Sequence, residues 1–309
     1  NLTKDEKAVN NLINNQVTAL ANRSNNPQAV FQDSLTSTLY PGNPVFRTMT
    51  VDEVKSVNYD RALELGKQLF GNAKDYTFFF VGNFDEAKIL PLIEQYIASL
   101  PSNGKKFKNV ETLPVKGEVV NKFTKAMENP QDVAVEIWCS EAPYTLRNSV
   151  LADIAARVIN MDYNRNIREK LSAAYYAGAD AMESVKLDGK TMRVGVTGNA
   201  MMNPDKSKDA IPYFYSGLKD AMEQPNLDDL QKVKEILLKQ ADVSCKQNGY
   251  WMGVISEYLL YGIDTHTNYK KEVSSVDAKA VSDFLKNVVM KDGNHVEVIM
   301  HATKAGEAK

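Results

Sequence analysis

The strongest constraint on this chain is that part of it occurs twice. A displacement of 219 residues sets SVNYDRALELGKQLFGNAKDYTFFFV, Ser56 to Val81, against SVDAKAVSDFLKNVVMKDGNHVEVIM, Ser275 to Met300, without a gap. Ser56 meets Ser275, Val57 meets Val276, and the helix-capping residue types Asn58 and Asp277 coincide. Ala62, Leu65, Leu69 and Phe70 fall on Val281, Phe284, Val288 and Val289, the spacing of one helix face. With a small change of offset, the helix ending Leu39-Tyr40 meets the one ending Leu260-Tyr261. A shared order of elements at low identity points to a duplicated α/β module. At 309 residues the chain is long enough for two such modules, each with a core.

The two copies are not equally equipped. Before its helical block, the second carries two strands, Glu118 to Met127 and Val133 to Cys139, then long helical periodicity from Leu146 through Val150, Ile154 and Val158 to Leu171. A hairpin follows, with Tyr175 to Val185 and Lys190 to Thr197 flanking Asp188-Gly189. Helices at Lys206 to Met222, Leu227 to Cys245 and Tyr250 to Leu260 lead to the last strand, His295 to Met300. The first copy has only helices ahead of Tyr76 to Val81. One carries Leu12, Ile13, Val17 and Leu20; a second spans about Pro27 to Leu39; Thr50 and Glu53 make a capping box; a longer helix starts near Asn58. After Gly82-Asn83 a last helix ends at Leu100-Pro101.

Tyr76 to Val81 is an apolar run without alternation, the pattern of a strand covered on both faces, so its sheet partners are expected to be missing or supplied by another segment. The expectation is that the natural protein extends upstream and that the chain begins inside its first module. The modules are placed at residues 1–104 and 118–309, with the polar stretch 105–117 as connector. The expected fold class is α+β: two related subdomains of mostly antiparallel or mixed sheet with helices packed on one face, the first incomplete.

Charge and composition exclude several partners. Thirty-seven Lys and Arg against 39 Asp and Glu leave a net charge of −2, with no basic field to gather nucleic acid. No apolar run approaches the roughly 18 residues that a membrane-spanning helix needs. Asn1 to Lys7 shows neither an initiator Met nor a signal pattern, so the compartment is not legible. Cys139 and Cys245 lie too far apart in sequence for a metal clip and read as inert thiols.

Catalytic patterns are sparse. Of the three histidines His266, His295 and His301, none sits in HExxH or HxxEH. His295, Glu297 and His301 share one side of a strand, but ends six residues apart are roughly 20 Å distant, too far for one ion on a straight strand. Edge-strand polar residues are the better account. There is no GxSxG elbow and no phosphate loop; Gly82-Asn83 lacks the repeated glycines and reads as a turn, and Asp52-Glu53 and Asp228-Asp229 suit first helical turns. What stands out is NIREKLSAAYYAGAD, Asn166 to Asp180: Arg168 late in a helix, Tyr175 opening a strand seven positions on, and small Ser172-Ala173-Ala174 between them. Taken alone, these are a surface arginine and a half-buried tyrosine.

That segment resembles the R-x6-Y element in the C-terminal half of the pitrilysin, or insulinase-like, zinc peptidases, the clan with an inverted HxxEH motif. DYTFFFVGNFDEAKILPLIEQYIASLP, Asp75 to Pro101, resembles the family's strand, VGN turn and helix ending in LP. KVKEILLKQADVSCKQNGYW, Lys232 to Trp251, resembles its late lysine-rich helix and N-x-x-W segment. Members contain four similar α/β subdomains in two halves, so the resemblance implies the end of the third subdomain and the whole fourth.

It further implies a substrate-gripping, metal-free half of a zinc-dependent endopeptidase, inactive alone. Zinc and its HxxEH helix would lie in the other half, either upstream in the same chain or in a separate subunit, and peptides would be enclosed between the halves. By carry-over, Tyr175 offers its phenol to the scissile carbonyl or oxyanion, and Arg168 orients Tyr175 or binds peptide carbonyls. The neighbouring strand to Met182 would help line the chamber. Tyr176 is the rival by adjacency, expected on the opposite face. A bacterial periplasmic or envelope location follows from the family. Two alternatives stand beside this reading: a noncatalytic structural or assembly subunit related to these peptidases, and an independent metal hydrolase using His295 and His301.

Overall fold

The computed structural model describes residues 3–102, 104 and 107–304; Asn1 and, around the connector, Asn103, Lys105 and Lys106 lie outside the described residues. The chain divides into two compact units, Asn1–Val30 with Thr48–Val110, and Phe31–Arg47 with Glu111–Lys309. Phe31–Arg47, which the sequence places in the first module, therefore packs in the second.

The second unit is built on a five-stranded mixed sheet: β1 (Glu118–Met127), β2 (Asp132–Pro143), β3 (Ala174–Val185), β4 (Thr191–Met202) and β5 (Asn294–Lys304), in the order β1-β5-β2-β4-β3. β1 and β5 are parallel, and the remaining pairs are antiparallel. The alternation in β2 splits between two cores. Ala134 and Trp138 join Ile299 under the helices, whereas Val135, Ile137 and Cys139 join Val296, Val298 and Met300 on the opposite face. Phe31, Leu35 and Leu39 of α2 (Pro27–Leu39) cover that second face, which explains why β2 is buried along most of its length. Arg193, fully buried in β4, donates from Nη1 to the carbonyls of Pro114 (2.9 Å) and Val115 (3.3 Å), tying the end of the connector to the sheet.

The first face is covered by α6 (Leu146–Tyr163), α8 (Pro212–Glu223), α9 (Leu227–Ser244) and α12 (Ala278–Phe284), which supply Ile154, Ile159, Phe214, Leu218, Leu237 and Phe284. Thr145 caps α6 by accepting from the Asn148 N–H at 3.1 Å. One helix expected over Lys206 to Met222 is two, α7 (Pro204–Ala210) and α8, because Pro212 has no N–H to continue the ladder. α10 (Asn248–Tyr261) and α11 (Tyr269–Ser275) complete the layer.

The first unit is helical: α1 (Glu6–Asn22), α3 (Val51–Lys55), α4 (Tyr59–Phe70) and α5 (Glu86–Tyr96). The Thr50–Glu53 capping box forms in full. The expected strand at Tyr76–Val81 does not form; the segment runs unpaired, since among the described residues this unit offers no neighbouring strand to exchange hydrogen bonds with. An isolated bridge between Asn72 and Ser102 is the nearest approach to a ladder. Tyr76, Phe78 and Phe80 are exposed.

Candidate functional site

Arg168 and Tyr175 line the same open cleft of about 570 Å³, together with Gln131, Ser172, Met202 and Asn203. Three local irregularities put them there. α6 passes into a π-helical turn over Asn164–Lys170, anchored by fully buried Ile167, and this turn swings Arg168 to the surface. Ser172 then takes a left-handed conformation, φ +47°, unusual for a residue with a Cβ, and reverses the chain. Finally, the β3–β4 register shifts between Ala174 and Tyr176, so Tyr175 is the extra residue of a β-bulge. With no partner across the ladder, it stands 91% exposed.

The joint is held from outside. Lys206 donates to the carbonyls of Leu171 (3.0 Å) and Ser172 (3.2 Å), the Asn203 N–H donates to the Ala173 carbonyl (2.8 Å), and the Ala173 N–H donates to the Ile167 carbonyl (3.0 Å). Sequence reasoning missed Lys206 and Asn203; the available signal was Asn203-Pro204, a cap and first-turn proline that place a helix start beside the joint. The side chains of Arg168 and Tyr175 make no hydrogen bond to each other, nor, among the described residues, to any other side chain or backbone group. Their donors are therefore free to meet a ligand. Tyr176 does not line this cleft; its hydroxyl lies over Gly178, where an added Cβ would come within 2.5 Å. The bulge, and not simple strand alternation, separates the two tyrosines.

The other candidates are dispersed. His295 Nε2 lies 2.7 Å from Glu136 Oε2, and its ring stacks on Trp138 with centroids 5.1 Å apart. Burial pushes the Glu136 carboxyl up to about 7, with Glu297 adding to the shift, and the bond to Glu136 raises the His295 pKa. His301 Nδ1 lies 2.9 Å from a different carboxylate, Asp132, which also accepts from Ser207 at 2.6 Å. His295 and His301 thus have separate acidic partners, and among the described residues no group of three or more His, Cys, Asp or Glu could hold a metal ion. Cys139 is buried, its thiol pushed up by burial, and Cys245 is half-buried. Among the described residues no helix is long and apolar enough to cross a membrane.

With that geometry established, comparison with known proteins is informative. The family "Peptidase M16 inactive domain" matches residues 56–237. The "Zinc protease PQQL-like" of Arabidopsis thaliana is 22% identical over 245 residues, 74% of this chain and 25% of that protein. The "Probable zinc protease PqqL" of Escherichia coli K12 is 28% identical over 170 residues, 53% of this chain and 18% of that protein. The crystal structure of the periplasmic protease PqqL from Escherichia coli superposes with a TM-score of 0.81 at 18% identity, covering 97% of this chain and 33% of that one. The chain thus spans about a quarter or less of the two curated relatives it matches. The resemblance to pitrilysin-like zinc peptidases holds: the chain belongs to the peptidase M16 family, as its inactive domain.

Proposed function

We propose that this chain is the substrate-gripping half of a zinc-dependent endopeptidase and that Arg168 and Tyr175 complete the active site of the HxxEH half. The observation carrying this reading is that an R-x6-Y pair from a helix end and a strand start lines one cleft with both donors unspent. The metal in this reading belongs to the partner half. Tyr175 donates its phenolic hydrogen to the scissile carbonyl as it gains negative charge, and its exposed position lets it reach a substrate held across a seam. Arg168, which makes no bond to Tyr175, binds peptide carbonyls with its planar fork in this reading and does not orient the tyrosine. A periplasmic location, as for the Escherichia coli relative, is part of the proposal.

In the same reading, residues 1–104 and 118–309 derive from related modules joined by the stretch 105–117, and Tyr76–Val81 pairs with strands from another segment. The unpaired backbone and the exposed Tyr76, Phe78 and Phe80 support this, because such an edge is costly to leave open.

The test is turnover in the protein containing both halves. Tyr175→Phe and Arg168→Ala are each expected to lower peptide turnover about ten- to a thousandfold, the scale of losing one oxyanion donor. Unchanged turnover would remove both side chains from the mechanism. An absence of peptidase activity in the native two-half protein would instead favour the assembly-subunit reading.

A further inference from the structure

We propose that a second cavity, walled by α6, α9 and α10, binds an organic cation on an apolar stem, a protonated amine or guanidinium, with Glu183 and Glu257 as its counter-charges. The cavity measures about 560 Å³, within the size of small-molecule sites, and shares no residue with the Arg168–Tyr175 cleft. Nothing in the proposal depends on that cleft's function.

The shape comes from α10. Its sequence, NGYWMGVISEYLLY, is strongly apolar, yet the helix buries none of its residues. Gly249 and Gly253, one turn apart, line the cavity, and a Cβ on either would meet nothing within 4 Å. That wall is bare backbone spanning a gap which larger side chains would have filled. Opposite it stand Leu146, Val150 and Leu237, an apolar surface suited to a stem.

The charges decide which ligand. Asp153 is neutralised by Arg157 at 2.7 Å. Glu183 takes only the Ser149 hydroxyl, at 3.1 Å, and Glu257 only the hydroxyl of buried Tyr144. Neither carboxylate has a cationic partner among the described residues. Glu183 is pushed up by burial, with Asp153 and Glu257 adding to the shift, so this wall holds like charges that a cation would relieve. A bare metal ion is a poor fit, because among the described residues the carboxylates here do not gather into a group of three that could hold one. An ammonium or guanidinium that buries its stem satisfies both halves of the site.

Titration calorimetry on the whole protein tests this with 4-phenylbutylamine and its neutral isostere 4-phenylbutan-1-ol. The amine is expected to bind at least about tenfold more tightly than the alcohol. Glu183→Gln combined with Glu257→Gln should abolish that preference while leaving alcohol binding unchanged, and Gly253→Leu, which fills the gap from a backbone with room for it, should abolish binding of both. Blocked peptides containing one arginine, compared with norleucine in its place, separate the two sources of the cation. Arginine-selective binding supports a peptide side chain, and binding of the free amine alone supports a small molecule. Equal affinity for amine and alcohol, amine binding unaffected by either variant, or no binding of the amine would overturn the proposal.

Discussion

The two copies of the repeated segment begin alike and end differently. Asn58 caps α4 by accepting from the Arg61 N–H at 2.9 Å, and Asp277 caps α12 by accepting from the Ala280 N–H at 2.7 Å. Downstream, His295 to Met300 lies in β5 between β1 and β2, with Val296, Val298 and Met300 buried, whereas Tyr76–Val81 has no ladder. Similar patterns of local propensity therefore gave the same cap but not the same strand. Capping depends on a few neighbouring residues, while a strand exists only where another offers its hydrogen-bonding edge. Each of four measurements would break or sharpen this contrast.

The largest effect is in hydrogen exchange. In this chain alone, amides of Val296 to Met300 should exchange only on global opening, while those of Thr77 to Val81 exchange near the open-chain rate, a difference of at least ~10⁴-fold. In the protein containing both halves, Thr77 to Val81 should gain protection, as the proposed pairing with another segment requires; open-chain exchange there too would remove that pairing.

Next come the matched core positions. Phe284 is 2% exposed and its counterpart Leu65 is 41% exposed. Phe284→Ala should cost about 3–5 kcal/mol in denaturant unfolding, and Leu65→Ala less than about 1 kcal/mol. Similar costs would show Leu65 to be covered.

Ionisable groups sharpen the contrast further, because Tyr76 and Phe78 stand where the paired strand carries His295 and Glu297. Lys122 meets Glu297 at 2.6 Å, and Glu136 meets His295 at 2.7 Å. Glu136 and His295 both have raised pKa values in the folded state, so folding takes up protons. Stability from this pair is complete below the unfolded carboxyl range and is lost as pH rises through about 7. Urea unfolding should therefore show the second unit weaker by roughly 2 kcal/mol at about pH 8 than at about pH 5, and Glu136→Gln should flatten that slope. Stability that rises over this window would refute the assignment. The smallest effect is at the caps: Asn58→Ala and Asp277→Ala should each cost about 1 kcal/mol, equally in the two copies.

Much of the second unit was legible because its signals are local. β1 begins and ends where its composition predicts, Asp188-Gly189 turns the hairpin with Gly189 at φ +66°, and both repeat caps form. Less was legible wherever geometry departs from regular periods. The π-helical turn at Asn164–Lys170, the left-handed Ser172 and the bulge at Tyr175 carry no mark in residue type, yet together they bring Arg168 and Tyr175 to one cleft. The sequence could pair these two residues only through a family resemblance. Pro212 did signal the break between α7 and α8, and the helical period on both sides hid it. At Tyr76–Val81 the sequence indicated both an apolar strand and its missing partners, and without those partners no strand forms in this chain.

The bulge in β3 has an evolutionary corollary. Ala174 and Tyr176 keep their pairing with Met202 and Met201 whatever side chain occupies the position between them. Selection for a sound sheet therefore places little pressure on Tyr175, and a tyrosine kept there across relatives would report a demand other than folding. At this position the side chain can drift without eroding the scaffold.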